Sequence, residues 1–336
     1  KFPEFKFSQS NAQMYAELKE HFPEIYEEVK ARIKEGRWEP EGAMWLEADT
    51  NLISGESLIR QIIYGKRFMK EEFGIDNKIL WLPDVFGYSG ALPQILQKCG
   101  ITKFFTTKTN WNETNKLPHD AFIWEGIDGS QVFSSVICAY VLFLCPSMTR
   151  YLWDSFKDKS YSNHNLMTFG FGDGGGGPTY EMMENYERLK YGLPGFPKTK
   201  IETTGEFFDR QEENFRKTSK ELKKEPKWVG ELYLEAHRGT YTSLGKNKRN
   251  NRKSELLYQQ AETLAVTDMI LLGGAYPEEI FRKNQTKILL NQFHDIIPGS
   301  SIKEVYDITD IEYAEILKDG CVIADSMKNK IKSSLK

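Results

Sequence analysis

From Asn11 onward, apolar residues recur at helical spacing, at Met14, Leu18, Phe22, Ile25, Val29 and Ile33, until Gly36. At 3.6 residues per turn these positions share one face, so the pattern predicts a single helix across this stretch. Helices are also predicted over Ser57–Phe73, ended by Gly74, and over Leu92–Cys99, stopped by Gly100. Between them lie short apolar runs that read as strands: Phe5–Phe7, Ala43–Ala48, Ile79–Leu82, Lys103–Thr107, Met167–Phe171, Lys200–Thr203 and Trp228–Leu234. Residues 121–137 predict a hairpin turned at Asp128–Gly129. Helical patterns follow the strands at 167–171 and 200–203.

Alternation of strand and helix implies parallel strands joined by helical crossovers, an α/β fold. Closed into a barrel, such strands place chemistry just past their C-terminal ends, although an open sheet gives the same pattern. Near residue 238 the strands stop. Ser254–Leu272, Glu278–His294 and Ser301–Ser333 read as three helices, with Gly273–Gly274 and Pro298–Gly299 as breakers. The expected division is therefore an α/β domain over 1–237 and a helical domain over 238–336. The basic run KNKRNNRK at 246–253 reads as a solvated linker between them.

The 336 residues carry a net charge of −3, which argues against nucleic acid or an anionic membrane as partner. No run is long and apolar enough to suggest a membrane span, and no signal peptide is visible. The chain opens on KFPEFKFSQS without an initiator Met, so an earlier targeting segment is compatible with it. Cys99, Cys138, Cys145 and Cys321 form no C-x-x-C pair, and a chain of this size needs no disulfide staples. They read as buried or semi-buried thiols suited to a reducing, cytoplasmic setting. Aromatic content of 13% fits a carbohydrate site and an aromatic core equally well.

Three places could carry chemistry. Asp84 follows the strand ILWLP and precedes FGYSG; a carboxylate at a strand end can attack or ligate, but Asp also caps turns and helices. Asp173 sits in TFGFGDGGGGPT, where glycines let the backbone approach a ligand closely. A phosphate loop would end in Gly-Lys-Ser/Thr, which is missing here, and a flexible loop with an incidental Asp is the bland alternative. Two carboxylates at two strand ends could flank one glycosidic bond as nucleophile and acid. His294 and Asp295 close an apolar helix in LLNQFHDIIPGSS. The imidazole could ligate a divalent metal or simply sit at a helix C-terminus, where the dipole stabilises it. The chain has five histidines and no H-x-H, H-x-D or H-E-x-x-H motif, so it carries no self-sufficient zinc motif.

Taken in order, EGAMWLEADTNLISGESLIRQ, ILWLPDVFGYSGALPQIL, TKFFTTKTNW, FGFGDGGGGPTYEMME, ELYLEAHRGTYTS and LLNQFHDIIPGSS closely resemble the glycoside hydrolase family 38 α-mannosidases, in the branch of cytosolic and bacterial enzymes. The resemblance spans nearly the whole chain. It implies a (β/α)7-type barrel, here without its first strand, followed by a three-helix bundle. It implies hydrolysis of α-mannosidic bonds of oligosaccharides with retention, through a glycosyl–Asp intermediate and with a divalent metal, usually Zn2+. By resemblance, Asp84 is nucleophile and metal ligand, Asp173 the general acid/base, His294 a metal ligand and Asp295 a substrate-binding neighbour. Tyr140 is similar to a sugar-contacting Tyr, although SSVICAYVLFLCPS lacks the Asn-Gly that usually follows it. Nothing here matches the family's early His-containing motif with two further metal ligands. The expectation is therefore weak zinc binding and little turnover from this chain alone. Two other readings compete: a metal-dependent carbohydrate deacetylase, and an incomplete fragment that keeps only part of a sugar site. No nucleic acid or membrane partner is expected, and homo-oligomerisation is left open.

Overall fold

The computed structural model describes residues 2–173 and 175–334, which divide into two units. The first comprises the chain up to Glu47 together with Ile62–Ala236; the second comprises Ala48–Gln61 and the chain from His237 onward. In chain order the first unit contains β1 (Phe7–Gln9), α1 (Ala12–His21), α2 (Pro23–Lys34), β2 (Trp38–Pro40) and most of α3 (Gly55–Phe73). It continues with β3 (Ile79–Trp81), α4 (Leu92–Lys98), β4 (Lys103–Thr106), β5 (Ala121–Glu125) and β6 (Gln131–Val136). It closes with α5 (Pro146–Ser155), α6 (Tyr180–Leu189), α7 (Thr204–Leu222) and β7 (Lys227–Val229).

One sheet runs in the order β3-β4-β6-β5-β7. Strands β3, β4 and β6 are mutually parallel, β5 and β6 form the antiparallel hairpin expected around Asp128–Gly129, and β7 joins β5 in parallel. A second, two-stranded sheet pairs β1 with β2 in parallel. All four residues of β4 are buried, because both faces of the sheet are covered. Phe105 stacks on Trp81 at 3.8 Å on one face and joins Phe133, Phe207, Phe208 and Phe215 in the core beneath α7. On the other face Phe104 meets Tyr88 and Trp124, at 4.8 and 4.9 Å.

Several elements differ from their sequence pattern. The helix expected across 11–35 is two helices, because Pro23 lacks a backbone N–H and starts α2 instead of continuing α1. Ala43–Ala48 is not a strand: Ala43 has φ +67°, and the pairing falls earlier, in β2. Met167–Phe171 makes only isolated bridges, Leu142 to Phe169 and Phe171 to Gly177. Lys200–Thr203 is not a strand either; Thr203 caps α7 in a capping box with Glu206. Helix α5 has no counterpart in the sequence pattern above; of its ten residues only Thr149 and Leu152 are buried.

The second unit is built on α8 (Gly245–Leu272), α9 (Glu278–Leu290) and α10 (Lys303–Ser334). Tyr258, Ala261 and Ala265 of α8 pack with Phe281 and Ile288 of α9 and with Tyr313, Ile316, Ile323 and Ala324 of α10. The basic run 246–253 is not a linker but the first two turns of α8. Its inward positions, Asn247, Asn251, Ser254 and Glu255, are buried but polar, so a hydrophobic period could not reveal them. Hydrogen bonds within the unit hold them, Asn247 Nδ2 donating to the Ile296 carbonyl at 2.9 Å. The Gln292 amide donates to Asn251 Oδ1 (3.0 Å) and Ser57 Oγ (2.9 Å), and Ser57 Oγ donates to Glu255 Oε1 (2.8 Å).

Candidate active site

Asp84 stands just past the C-terminal end of β3, and the adjoining strand fixes its backbone. The carbonyl of Pro83 accepts from Thr107 N (3.2 Å) and Thr107 Oγ1 (2.7 Å), which ties the ends of β3 and β4 together. The loop behind Asp84 is locked by Tyr88, 1% exposed, whose hydroxyl reaches the carbonyls of Leu82 and Val85, both at 2.9 Å, and the Thr106 hydroxyl. The next residue after Thr107 is Lys108, whose ammonium forms an ion pair with Asp84 Oδ1. Its side chain is only 4% exposed, against 21% for Asp84. Lys108 Nζ also lies 3.5 Å above the Trp111 ring, a cation–π contact.

Asp173 occupies the tip of a narrow loop. Phe171 and Gly177 exchange backbone hydrogen bonds of 2.9 and 2.7 Å across its base. Asp173 itself has φ +54°, a left-handed conformation that Asp adopts at modest cost. A Cβ on Gly172 would come within 2.3 Å of the Val141 Cγ1 methyl, so that half-exposed side chain would have to turn away. Gly174, part of the glycine run, lies outside the described residues.

Tyr140 joins the two carboxyl groups. Its hydroxyl donates to Asp173 Oδ1 at 3.0 Å. Burial pushes the phenol upward, and the Asp84 charge and hydrogen bonds to Asp173 and Asp84 push it the same way. It therefore remains a protonated donor, since ionising it would add negative charge beside acidic side chains in a half-buried place. Beside this group is a cavity of about 1100 Å³, lined by Trp81, Pro83, Tyr140, Trp153 and Gly172 among others.

His294 and Asp295 belong to the second unit. His294 is 3% exposed and packs on Phe293 with ring centroids 4.2 Å apart. Close by in the same unit is Asp49, whose Oδ1 accepts from the backbone N–H of Asn51 (2.8 Å) and Leu52 (2.7 Å). Burial pushes the Asp49 carboxyl up, while those two bonds and the charges of His294 and Lys248 oppose it. Asp295 Oδ1 accepts from Ser300 Oγ at 2.9 Å. Of the residues singled out in the sequence, the first unit thus brings together Asp84, Asp173 and Tyr140. Sequence reasoning missed Lys108 and Asp49. The one signal for Lys108 was a cation just past the strand Lys103–Thr107, where site residues of parallel sheets gather.

Two carboxyl groups that face one phenol, Asp84 past the end of β3 and Asp173 at a loop tip, stand beside a cavity with aromatic walls, an arrangement that could serve as nucleophile and acid at one bond. Comparison with known proteins gives the family of the chain. The glycosyl hydrolases family 38 N-terminal domain matches residues 1–231, and the alpha mannosidase middle domain matches residues 235–331. The chain belongs to glycoside hydrolase family 38. It is 41% identical over 98% of its length to alpha-mannosidase G of Dictyostelium discoideum and 38% identical over 95% to human alpha-mannosidase 2C1. It spans about 30% of the length of each of these relatives. An alpha-mannosidase structure from Enterococcus faecalis superposes on 98% of this chain and 38% of its own, with a TM-score of 0.82 at 20% identity, and so shares its fold.

Proposed function

We propose that the protein is a retaining α-mannosidase acting on terminal α-mannosyl groups of oligosaccharides. The observation that carries the reading is the Tyr140 hydroxyl shared between Asp84 and Asp173. Two carboxyl groups that face one phenol suit a nucleophile and an acid acting on one glycosidic bond, and the retaining outcome is the one the family resemblance implies.

In the first step Asp84 attacks the anomeric carbon and Asp173 gives its proton to the departing oxygen. The C–O bond to the leaving group breaks as the bond to Asp84 forms. In the second step water attacks that carbon, its proton passes to Asp173, and the bonding pair returns to the Asp84 carboxylate. Tyr140 orients both carboxyls and contacts the sugar, and Asp295 receives a sugar hydroxyl.

Asp84 and His294 are the proposed ligands of a divalent metal, with zinc the first candidate. A carboxylate and an imidazole are donors zinc accepts, and the Asp49 carboxyl near buried His294 is the kind of outer partner that orients a ligating ring. When bound, the metal supplies positive charge for the attacking carboxylate and the sugar hydroxyls. The parallel order of β3, β4 and β6, with Asp84 past a strand end, supports a (β/α)7-type barrel with a helical bundle following it. Four free cysteines support a cytoplasmic setting.

The test is a fluorinated mannosyl inactivator applied to the zinc-supplemented protein, followed by peptide mass spectrometry. The expected result is one covalent sugar on the peptide carrying Asp84. A label on another carboxylate with Asp84 unmodified overturns the assignment. Release of acetate from N-acetylated sugars without mannoside cleavage would instead favour a deacetylase.

A further inference from the structure

We propose that Lys108 is a positioning residue for Asp84 whose main contribution falls in the second chemical step, the breakdown of the mannosyl–Asp84 ester. The inference rests on the reading of Asp84 as nucleophile. An ammonium 4% exposed has given up nearly all its water, and it recovers that loss through the Asp84 carboxylate and the Trp111 ring. The contact is built into the backbone. Trp81 stands opposite Phe105 in the β3–β4 register, and Thr107 holds Pro83 by two hydrogen bonds. The residues that follow, Asp84 and Lys108, are thereby set side by side. Phe86 and Tyr140 also flank the ammonium, with ring centroids 5.9 and 5.7 Å from Nζ. Lys108 is thus held beside the Asp84 carboxylate.

The reaction asks different things of Asp84 in its two steps. In the first, the carboxylate spends its negative charge in forming the ester, while the leaving oxygen takes the Asp173 proton. A cation held on Asp84 resists that loss of charge, although it aims the carboxylate. In the second, the C–O bond to Asp84 breaks and the electron pair returns to the carboxylate as water adds to the anomeric carbon. Here the waiting ammonium stabilises the charge as it develops, with no reorganisation needed. Lys108 therefore makes Asp84 a better leaving group.

The test compares Lys108→Met, Lys108→Gln and Lys108→Arg in the intact zinc-supplemented protein, on a 2,4-dinitrophenyl mannoside whose departure needs little help. For Met and Gln, kcat is expected to fall about tenfold or more, with KM falling alongside it because the ester accumulates, so that kcat/KM moves far less. Rapid mixing should show a burst of dinitrophenol equal to the enzyme present, and mass spectrometry should find the sugar on Asp84 at steady state. Lys108→Arg, which keeps the cation, should restore most of kcat. Equal losses in kcat and kcat/KM without a burst, or a kcat unchanged in both variants, overturn the proposal. If Met unfolds on melting analysis, Gln decides. Failure of the underlying reading looks different, because the wild-type protein would then carry the inactivator elsewhere than on Asp84.

Discussion

Glu41, at the end of β2, illustrates what burial does to a single charge. Its carboxyl is 9% exposed and accepts from Gly42 N at 3.0 Å and Asn77 Nδ2 at 3.1 Å. Burial nevertheless wins and pushes it up from 4.5 to about 7, with the Glu39 charge adding to the rise. The folded state therefore holds a proton that the unfolded chain releases at lower pH. This stabilisation is complete below about pH 4.5 and is lost as pH rises towards 7. Glu41→Gln should flatten that part of the profile. At pH 8 the variant should be the more stable protein by up to about 3 kcal/mol, and at pH 4.5 nearly equal to wild type. Urea midpoints at the two pH values check this; a variant less stable than wild type at pH 8 would show that Glu41 is held ionised by its neighbours. Lys108 presents the opposite case, a buried charge kept by a partner of opposite sign.

Among the elements, α3 shows where local preference and packing disagree. Gly65 lies mid-helix, where alanine would ordinarily gain about 1 kcal/mol. A Cβ there would come within 2.2 Å of the Met44 carbonyl carbon and 2.6 Å of the Ala43 oxygen, both backbone atoms that cannot swing aside. Gly65→Ala should therefore destabilise the protein by more than about 2 kcal/mol, read as a lowered melting temperature. A raised melting temperature would mean that the 43–48 segment yields easily. The same segment explains why a strand was expected there. AMWLEA is apolar because it covers α3, and an apolar run looks alike whether it pairs in a sheet or packs as an irregular cover. Helix α8 is the converse, helical in its first turns through a polar buried face that no hydrophobic period reports.

For the whole molecule, the proposed zinc ligands Asp84 and His294 are the feature with the largest consequence, because metal binding is linked to folding. Calorimetric titration with zinc should show binding weakened at least about tenfold by Asp84→Asn and by His294→Ala, since each removes a ligand. Asp295→Ala should leave zinc affinity nearly unchanged and instead raise KM. Zinc binding that is indifferent to His294→Ala would remove that residue from the metal site. The chain spans about 30% of its curated relatives, so the comparison also belongs on a protein of their full length.

The order of segments along the chain carried the family, and with it Asp84, Asp173, Tyr140, His294 and Asp295 as candidates, because motifs around reacting groups are local in sequence. Strong periodicity also located α3, α4, the β5–β6 hairpin and the cores of the three late helices. The sequence did not reveal what depends on contact between distant residues. Lys108 meets Asp84 only because β3 and β4 lie parallel in one register. The Tyr140 hydroxyl reaches Asp173 across 33 positions. Residues 48–61 join a unit whose other members begin near residue 237, and Gln292 finds Ser57 across 235 positions. Burial, and with it the raised carboxyl of Glu41, likewise follows from which surfaces cover a residue. Local spacing fixes how a segment can fold; tertiary packing decides which charges lose their water and which partner each one keeps.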